Sequence, residues 1–110
     1  MRQSHTAVIE RNTSWSGRIE TEPYEAGWAS EAMFFVRILE PRTGSAPVSL
    51  AVQISPDGIH WCNEGTVLPL DTAAALSWCR VSQFGTWLRL AGRLPRDMSL
   101  KVMVYIQLKA

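Results

Sequence analysis

The sequence predicts an all-β protein, a two-sheet antiparallel β-sandwich of jelly-roll or related Greek-key type with about seven to eight strands. Three observations predict this fold. Apolar residues recur with a period of two, clusters of Gly, Pro, Asn and Asp separate the alternating segments, and no long segment has a helical period. Parallel βαβ units are excluded because their helices are missing. The 110 residues predict a single domain, residues 1–110.

Two segments alternate most clearly. In "PVSLAVQIS" (47–55) every second residue from Val48 is apolar, and "SLKVMVYIQLKA" (99–110) repeats the pattern from Leu100. We therefore expect two strands, with Lys101 and Gln107 exposed. The residues predicted to form the core are Leu50, Val52, Ile54, Leu88, Leu90, Val102, Val104 and Ile106.

Weaker β segments fill in the same architecture. In chain order they are "TAVIER" (6–11), "WSGRIET" (15–21), "EAMFFVRILE" (31–40), "LSWCRVS" (76–82) and "TWLRLAGRL" (86–94). Turn residues separate them at 40–47, 55–58, 82–85 and 93–97. The only helix candidate is "LDTAAALSW" (70–78), which we interpret as a loop or one short turn over Ala73–Ala75, capped by Asp71.

Composition and charge exclude several classes of protein. An apolar fraction of 46% with 19% charged residues predicts a soluble globular chain. No apolar run approaches the about 20 residues that span a bilayer, so no membrane partner is expected. A net charge of +1 gives no reason to expect nucleic acid. The first fifteen residues lack the apolar core of a signal peptide, so we expect synthesis in the cytoplasm and, if the protein assembles, a particle as its destination.

The residues that carry chemistry in enzymes are few and poorly spaced. His60 and Cys62 are two apart and share a face of a strand, which is the one pairing with nucleophilic logic, but a surface pair is the better interpretation. Glu20 and Glu22 also share a face and suit a solvated edge better than an acid/base pair. No motif for phosphate binding or hydrolysis is present. We predict no enzyme, no catalytic residues and no cofactor.

The two cysteines, Cys62 and Cys79, are expected to be reduced in a chain made without a signal peptide. A disulfide remains the less favoured alternative, since both residues lie in strand-like segments and could meet across strands. A structural zinc site is not expected, because the two cysteines and the two histidines, His5 and His60, lack the close paired spacing of zinc ligands.

The segment "SPDGIHW" (55–61) raises the clearest choice between structure and function. As a corner between two strands, Pro56 sets φ, Asp57 accepts from backbone amides, Gly58 takes the left-handed position and Trp61 packs, largely buried, over the end of the hairpin. As a binding loop, the same segment presents His60 and Trp61 to a ligand. The corner is the favoured interpretation.

The stretch "VQISPDGIHWCNEGTV" (52–67) resembles the Ser-x-Asp-Gly-x-x-Trp hairpin of discoidin-like, galactose-binding-type sandwiches. It is equally similar to a hairpin of small β-sandwich proteins from bacteriophages and prophages, in which strands resembling "FGTWLRLAGRL" (84–94) and "SLKVMVYIQLKA" (99–110) follow. This likeness covers about half the chain, from Val52 to Ala110. It implies a non-enzymatic domain in a particle or tail assembly, or a surface-binding module.

Five tryptophans are many for a chain of this size, since a sandwich core can hold two or three of them. The remaining aromatic area predicts a protein interface. Its candidate residues are Met103, Tyr105, Trp28 and Tyr24. The leading hypothesis is a non-enzymatic structural or interaction protein that self-associates or docks on a larger protein assembly, of the capsid- or particle-decorating type. The alternative is a carbohydrate-binding module with Trp61 and His60 as a sugar platform.

Overall fold

The computed structural model describes residues 3–40, 47–71 and 74–110, and within these ranges the chain forms nine β-strands and no helix. No described segment is therefore a helix of the length and apolarity needed to cross a bilayer. The strands are β1 (Ser4–Ser16), β2 (Arg18–Glu20), β3 (Tyr24–Glu25), β4 (Glu31–Ile38), β5 (Val48–Ser55), β6 (Cys62–Leu70), β7 (Leu76–Ser82), β8 (Trp87–Arg93) and β9 (Ser99–Lys109).

The strands form two antiparallel sheets, which confirms the predicted fold class. The first, here called the four-stranded sheet, has the order β1-β9-β4-β7. The second has the order β2-β8-β5-β6, with β3 also paired to β8. Because β2 and β3 lie along the same side of β8, they are two halves of one interrupted strand. Counted in this way, eight strands form two sheets in jelly-roll order.

Gly17 divides the segment "WSGRIET", which the sequence predicted as one strand. Ser16 ends β1 in the four-stranded sheet, and Arg18 begins β2 in the second sheet. Gly17 has a φ of 63°, a conformation that glycine adopts at no steric cost. Its carbonyl accepts a hydrogen bond of 2.8 Å from the Leu94 N–H. The prediction of one strand was wrong because the chain changes sheets at this glycine.

The core lies between the sheets and is built from the inward positions of the strands. Seven of the eight residues predicted for the core are fully buried there, and Ile54 is partly buried against it. Lys101 and Gln107 are half-buried rather than exposed. The reason is that β9 is a central strand, so that each outward side chain has neighbours on β1 and β4.

One strand, β3, lies where none was predicted, whereas β7 begins at Leu76 as the segment 76–82 predicted. The segment 22–33 includes the short strand β3 and the start of β4, and the Ala26 N–H donates to Thr86 O at 2.6 Å between them. In the segment 70–78, Ala74 and Ala75 form a bend and β7 begins at Leu76, whereas Ala73 lies outside the described residues.

Most of the tryptophan side chains lie outside the core. Trp15 is buried, Trp61 and Trp87 are half-buried, and Trp28 and Trp78 are 46% and 49% exposed. The core holds Trp15 and so fewer tryptophans than the two or three that a sandwich can hold, because mostly aliphatic side chains occupy the inward positions of the strands. Large aromatic area is therefore left on the outside of the sandwich.

Candidate functional site

The outer face of the four-stranded sheet carries a continuous row of apolar side chains. Cross-strand pairing places Val8 beside Tyr105, Tyr105 beside Phe35 and Phe35 beside Trp78, so the row crosses all four strands. Val8, Tyr105 and Phe35 are half-buried, and Trp78 is exposed. We call these four residues the aromatic row. Such neighbours on one face of a sheet are in direct contact distance.

Methionines and cations surround the aromatic row. Met33 lies on one side of it and Met103 on the other, and Tyr105 Oη lies 3.7 Å from Met103 Sδ. The guanidinium of Arg80 lies 5.2 Å from the centre of the Trp78 ring, within the range of a cation–π contact. Aromatic, Met and Arg side chains together are the composition enriched at the centres of protein interfaces.

The candidate interface residues do not all lie together. Met103 and Tyr105 lie on the outer face of β9, next to and within the aromatic row. Trp28 lies in the turn between β3 and β4, and Tyr24 lies in the second sheet, where it pairs with Leu88 and packs against the core. The use of these four residues as an interface stays a prediction.

Sequence reasoning missed Phe35 and Trp78. Both lie in segments that were recognised as strands, at positions that alternate with the buried Phe34 and Cys79. The missing information was the pairing of β4 with β9 and β7, which brings Phe35 beside Tyr105 and Trp78. Alternation gives the face of a residue, whereas the sheet order decides its neighbours.

A shallow groove of about 480 Å³ adjoins one end of this face, beside β6. Charged groups of both signs line it. Arg80 and Lys109 are basic, and Glu31 and Glu64 are acidic. The remaining lining residues are Ala32, Met33, Thr66, Val81, Ser82 and Gln107. Because Met33 also borders the aromatic row, the groove and the row form one continuous surface.

The outer face of the second sheet is polar by contrast. Arg89 Nη1 lies 2.6 Å from Glu20 Oε2, and Arg89 Nε donates to Gln53 Oε1 at 2.8 Å. Gln53 Nε2 in turn donates to Asn63 Oδ1 at 3.1 Å, and Glu20 also pairs with Arg18 at 2.9 Å. This chain of bonds crosses β2, β8, β5 and β6. The Glu20 carboxylate therefore forms ion pairs with both Arg18 and Arg89, as expected for a charged, solvated edge.

The hairpin 55–61 is closed by two side chains. Ser55 Oγ accepts from the Gly58 N–H at 2.8 Å, and Asp57 Oδ1 accepts from the N–H groups of Ile59 and His60, both at 2.8 Å. Gly58 has a φ of 80°, which confirms the predicted left-handed position. Hydrogen bonds from the backbone and the ring of His60 hold the pKa of Asp57 well below its usual range. The corner interpretation agrees with this geometry.

Ser55, Asp57 and His60 lie close together but are not arranged as a catalytic triad. His60 Nδ1 lies 2.7 Å from Asp57 Oδ2, and Ser55 Oγ donates to Asp57 Oδ1 at 2.9 Å. Asp57 is therefore the middle member, whereas a triad needs histidine between the nucleophile and the carboxylate. His60 lies in the hairpin before β6 begins at Cys62, and both residues are exposed, which agrees with the favoured interpretation of a surface pair. The contact of Cys62 Sγ is with Ile54 O at 4.0 Å.

A different tryptophan from the predicted one covers the Gly58 turn. A Cβ added at Gly58 would lie 3.3 Å from the ring of Trp87, so this ring covers the turn. Trp61 is only half-buried, and its ring faces the guanidinium of Arg89 at 4.2 Å. The expectation of a largely buried Trp61 stays a prediction at this position, where the neighbour of the ring is a cation at the outer face of the second sheet.

Both cysteines are free, Cys62 exposed on the second sheet and Cys79 buried on the four-stranded sheet. Burial raises the pKa of the Cys79 thiol to about 11, so that it stays protonated at neutral pH. Over residues 3–40, 47–71 and 74–110, no three His, Cys, Asp or Glu side chains come close enough to hold a metal ion.

Comparison with known proteins shows likeness of fold and none of sequence. No protein-family profile matches the chain, and no curated protein matches it in sequence. The crystal structure of the SPBc2 prophage-derived protein YomS is similar, with a TM-score of 0.62 and 6% identity over 100% of this chain and 96% of that one.

A protein of Bacillus endospore appendages, which form disulfide-linked pili, has a TM-score of 0.53 and 12% identity over 97% of this chain and 87% of that one. At these identities the likeness is one of fold. The predicted occurrence of this fold among prophage proteins is confirmed in that sense, whereas the resemblance to discoidin-like sandwiches stays a prediction.

Proposed function

We propose that this chain is a non-enzymatic structural protein that self-associates or docks on a larger protein assembly, such as a capsid or another particle that it decorates. The aromatic row on the outer face of the four-stranded sheet carries the proposal. Cross-strand packing covers only part of the area of these side chains, and contact with a partner removes more of their apolar surface from water.

The two structural neighbours support this direction. One is a prophage-derived protein, and the other belongs to appendages that form pili. If the likeness extends to function, this chain is a subunit of a protein assembly, made in the cytoplasm and then incorporated into a particle. The proposed interaction involves no chemical reaction. The aromatic row and Met103 contribute by burying apolar surface against the partner.

The test removes the contact without changing the core. The double variant Met103→Ser/Tyr105→Thr shortens two outward side chains of β9, and Val67→Thr, at a 51% exposed valine of β6, is the matched control. We expect light scattering to show association of the wild type and of the control, and its loss in the double variant. Melting curves of the three proteins report the fold. Unchanged association of the double variant would contradict the proposal.

Carbohydrate binding is the second candidate. It rests on Trp61, which lies beside the polar chain through Arg89 and next to the exposed His60. Arg89 lies over one face of the Trp61 ring, so stacking on a sugar would use the opposite face. A glycan array with the wild type and with Trp61→Ala tests it. A saccharide bound by the wild type and lost in the variant, with no protein association, would replace the first proposal.

A further inference from the structure

The outward residues of β4 have an order that is complementary to itself. From one end to the other they are Glu31, Met33, Phe35 and Arg37, an acid, a methionine, an aromatic ring and a base. When two copies of this order face each other in opposite directions, each acid lies opposite a base and each methionine opposite a ring. A pattern of this kind favours a two-fold symmetric contact, in which one surface binds its own copy.

We propose that the occupant of this face is a second copy of the chain, bound face to face with the two β4 strands antiparallel. The inference rests on the proposed function and specifies its partner. The two-fold axis lies in the plane between the two copies. It passes over β4 at residue 34, midway between Glu31 and Arg37.

Charge complementarity is the first reason for choosing a second copy. Glu31 of each chain lies opposite Arg37 of the other, so the contact has two ion pairs, one at each end of the facing strands. Both residues are exposed. The net charge of +1 gives little long-range repulsion between copies.

The neighbouring strands agree with the same axis. Trp78 pairs with Phe35, and Arg80 pairs with Met33, so the axis brings Trp78 opposite Arg80 of the second copy. This arrangement repeats between chains the cation–π contact that Arg80 and Trp78 make within one chain. Phe35 meets Met33 of the second copy, and sulfur–aromatic contacts of this type are favourable.

On β9 the axis brings Met103 opposite Lys109 of the second copy, because these residues lie level with Arg37 and Glu31. The aliphatic stem of a lysine covers apolar surface while its ammonium group reaches water. The pair is therefore compatible with the contact and adds no buried charge.

Charge reversal tests the arrangement. Glu31→Arg and Arg37→Glu each place like charges opposite one another in both symmetric pairs, whereas the double variant restores complementarity with the signs exchanged. Arg93→Glu reverses an exposed charge on β8 of the other sheet and is the matched control. Sedimentation velocity over a concentration series gives the dimer dissociation constant, and a melting curve of each variant reports the fold.

We expect each single reversal to weaken the dimer at least about tenfold, and the double variant to return to within about threefold of the wild type. A wild-type dimer that the single reversals weaken no more than Arg93→Glu does, or that the double variant fails to restore, overturns the inference and leaves self-association standing. A wild-type chain that stays at 12.3 kDa also overturns it, and binding to a preformed particle would then still support the proposed function.

Discussion

Gly58 is the residue on which the hairpin conformation depends most directly. Its φ is 80°, and a Cβ at this position would lie 3.3 Å from the Trp87 ring. The replacement Gly58→Val combines an unfavourable backbone conformation with a steric conflict, so we expect a loss of about 1–3 kcal/mol in the free energy of unfolding. Urea denaturation measures it.

The matched control for Gly58 is Gly85→Ala, because a Cβ at Gly85 meets no atom within 4 Å and its φ is not positive. We expect this change to be within about 0.5 kcal/mol of the wild type. Equal stability of the Gly58 and Gly85 variants would mean that the turn in solution is not the one described.

Asp57 makes the stability of the hairpin depend on pH. Its pKa is held below the usual range, mainly by the backbone N–H of His60, so its contribution is present above the unfolded-state pKa of about 4 and is lost as the pH falls through the folded-state value. The variant Asp57→Asn cannot titrate. We expect the difference in melting temperature between wild type and variant to shrink as the pH falls below about 4. A difference that does not change below pH 4 would contradict this role of Asp57.

At the scale of the element, the register of β9 decides which side chains face the core. Val104 is fully buried, whereas Gln107 is half-buried on the outer face. Val104→Asp buries an unpaired carboxylate and should lower the free energy of unfolding by more than about 4 kcal/mol. Gln107→Asp keeps a polar side chain at a face near Lys109 and Arg80 and should cost under about 1 kcal/mol. Similar losses in chemical denaturation would mean that the register is wrong.

The sequence was most informative for elements whose two faces meet different surroundings. β5 and β9 have the core on one side and an outer face on the other, so their apolar residues alternate and the predicted strands agree with the structure. The corner at Gly58 was likewise predictable, because few residues other than glycine tolerate its φ.

The sequence was least informative where long-range pairing decides. The residues around Gly17 in "WSGRIET" are typical of a strand. Only the pairing partners of Ser16 and Arg18 show that the chain changes sheets there. The aromatic row was missed for the same reason, since Val8, Phe35 and Trp78 come from three strands that are distant in sequence. Of the candidate interface, only Met103 and Tyr105 lay on one strand, where a period of two could place them on one face.

At the scale of the whole molecule, the two outer faces differ in how far their side chains satisfy one another. On the second sheet, Arg89 links Glu20 to Gln53 and so joins neighbouring strands through polar bonds. On the four-stranded sheet, the aromatic row leaves apolar area on the outside. The molecule therefore has one polar and one more apolar outer face, and the apolar face is the one that we propose binds protein.

Hydroxyl-radical footprinting over a range of protein concentrations tests most directly that this apolar face is the one that binds protein. The account predicts that oxidation of Trp78, Tyr105 and Met103 decreases as the concentration rises, because a partner covers them, while Ile59 and Val67 on the other sheet and its hairpin stay equally reactive. Protection of Ile59 and Val67 with unchanged oxidation of Trp78, Tyr105 and Met103 would contradict it.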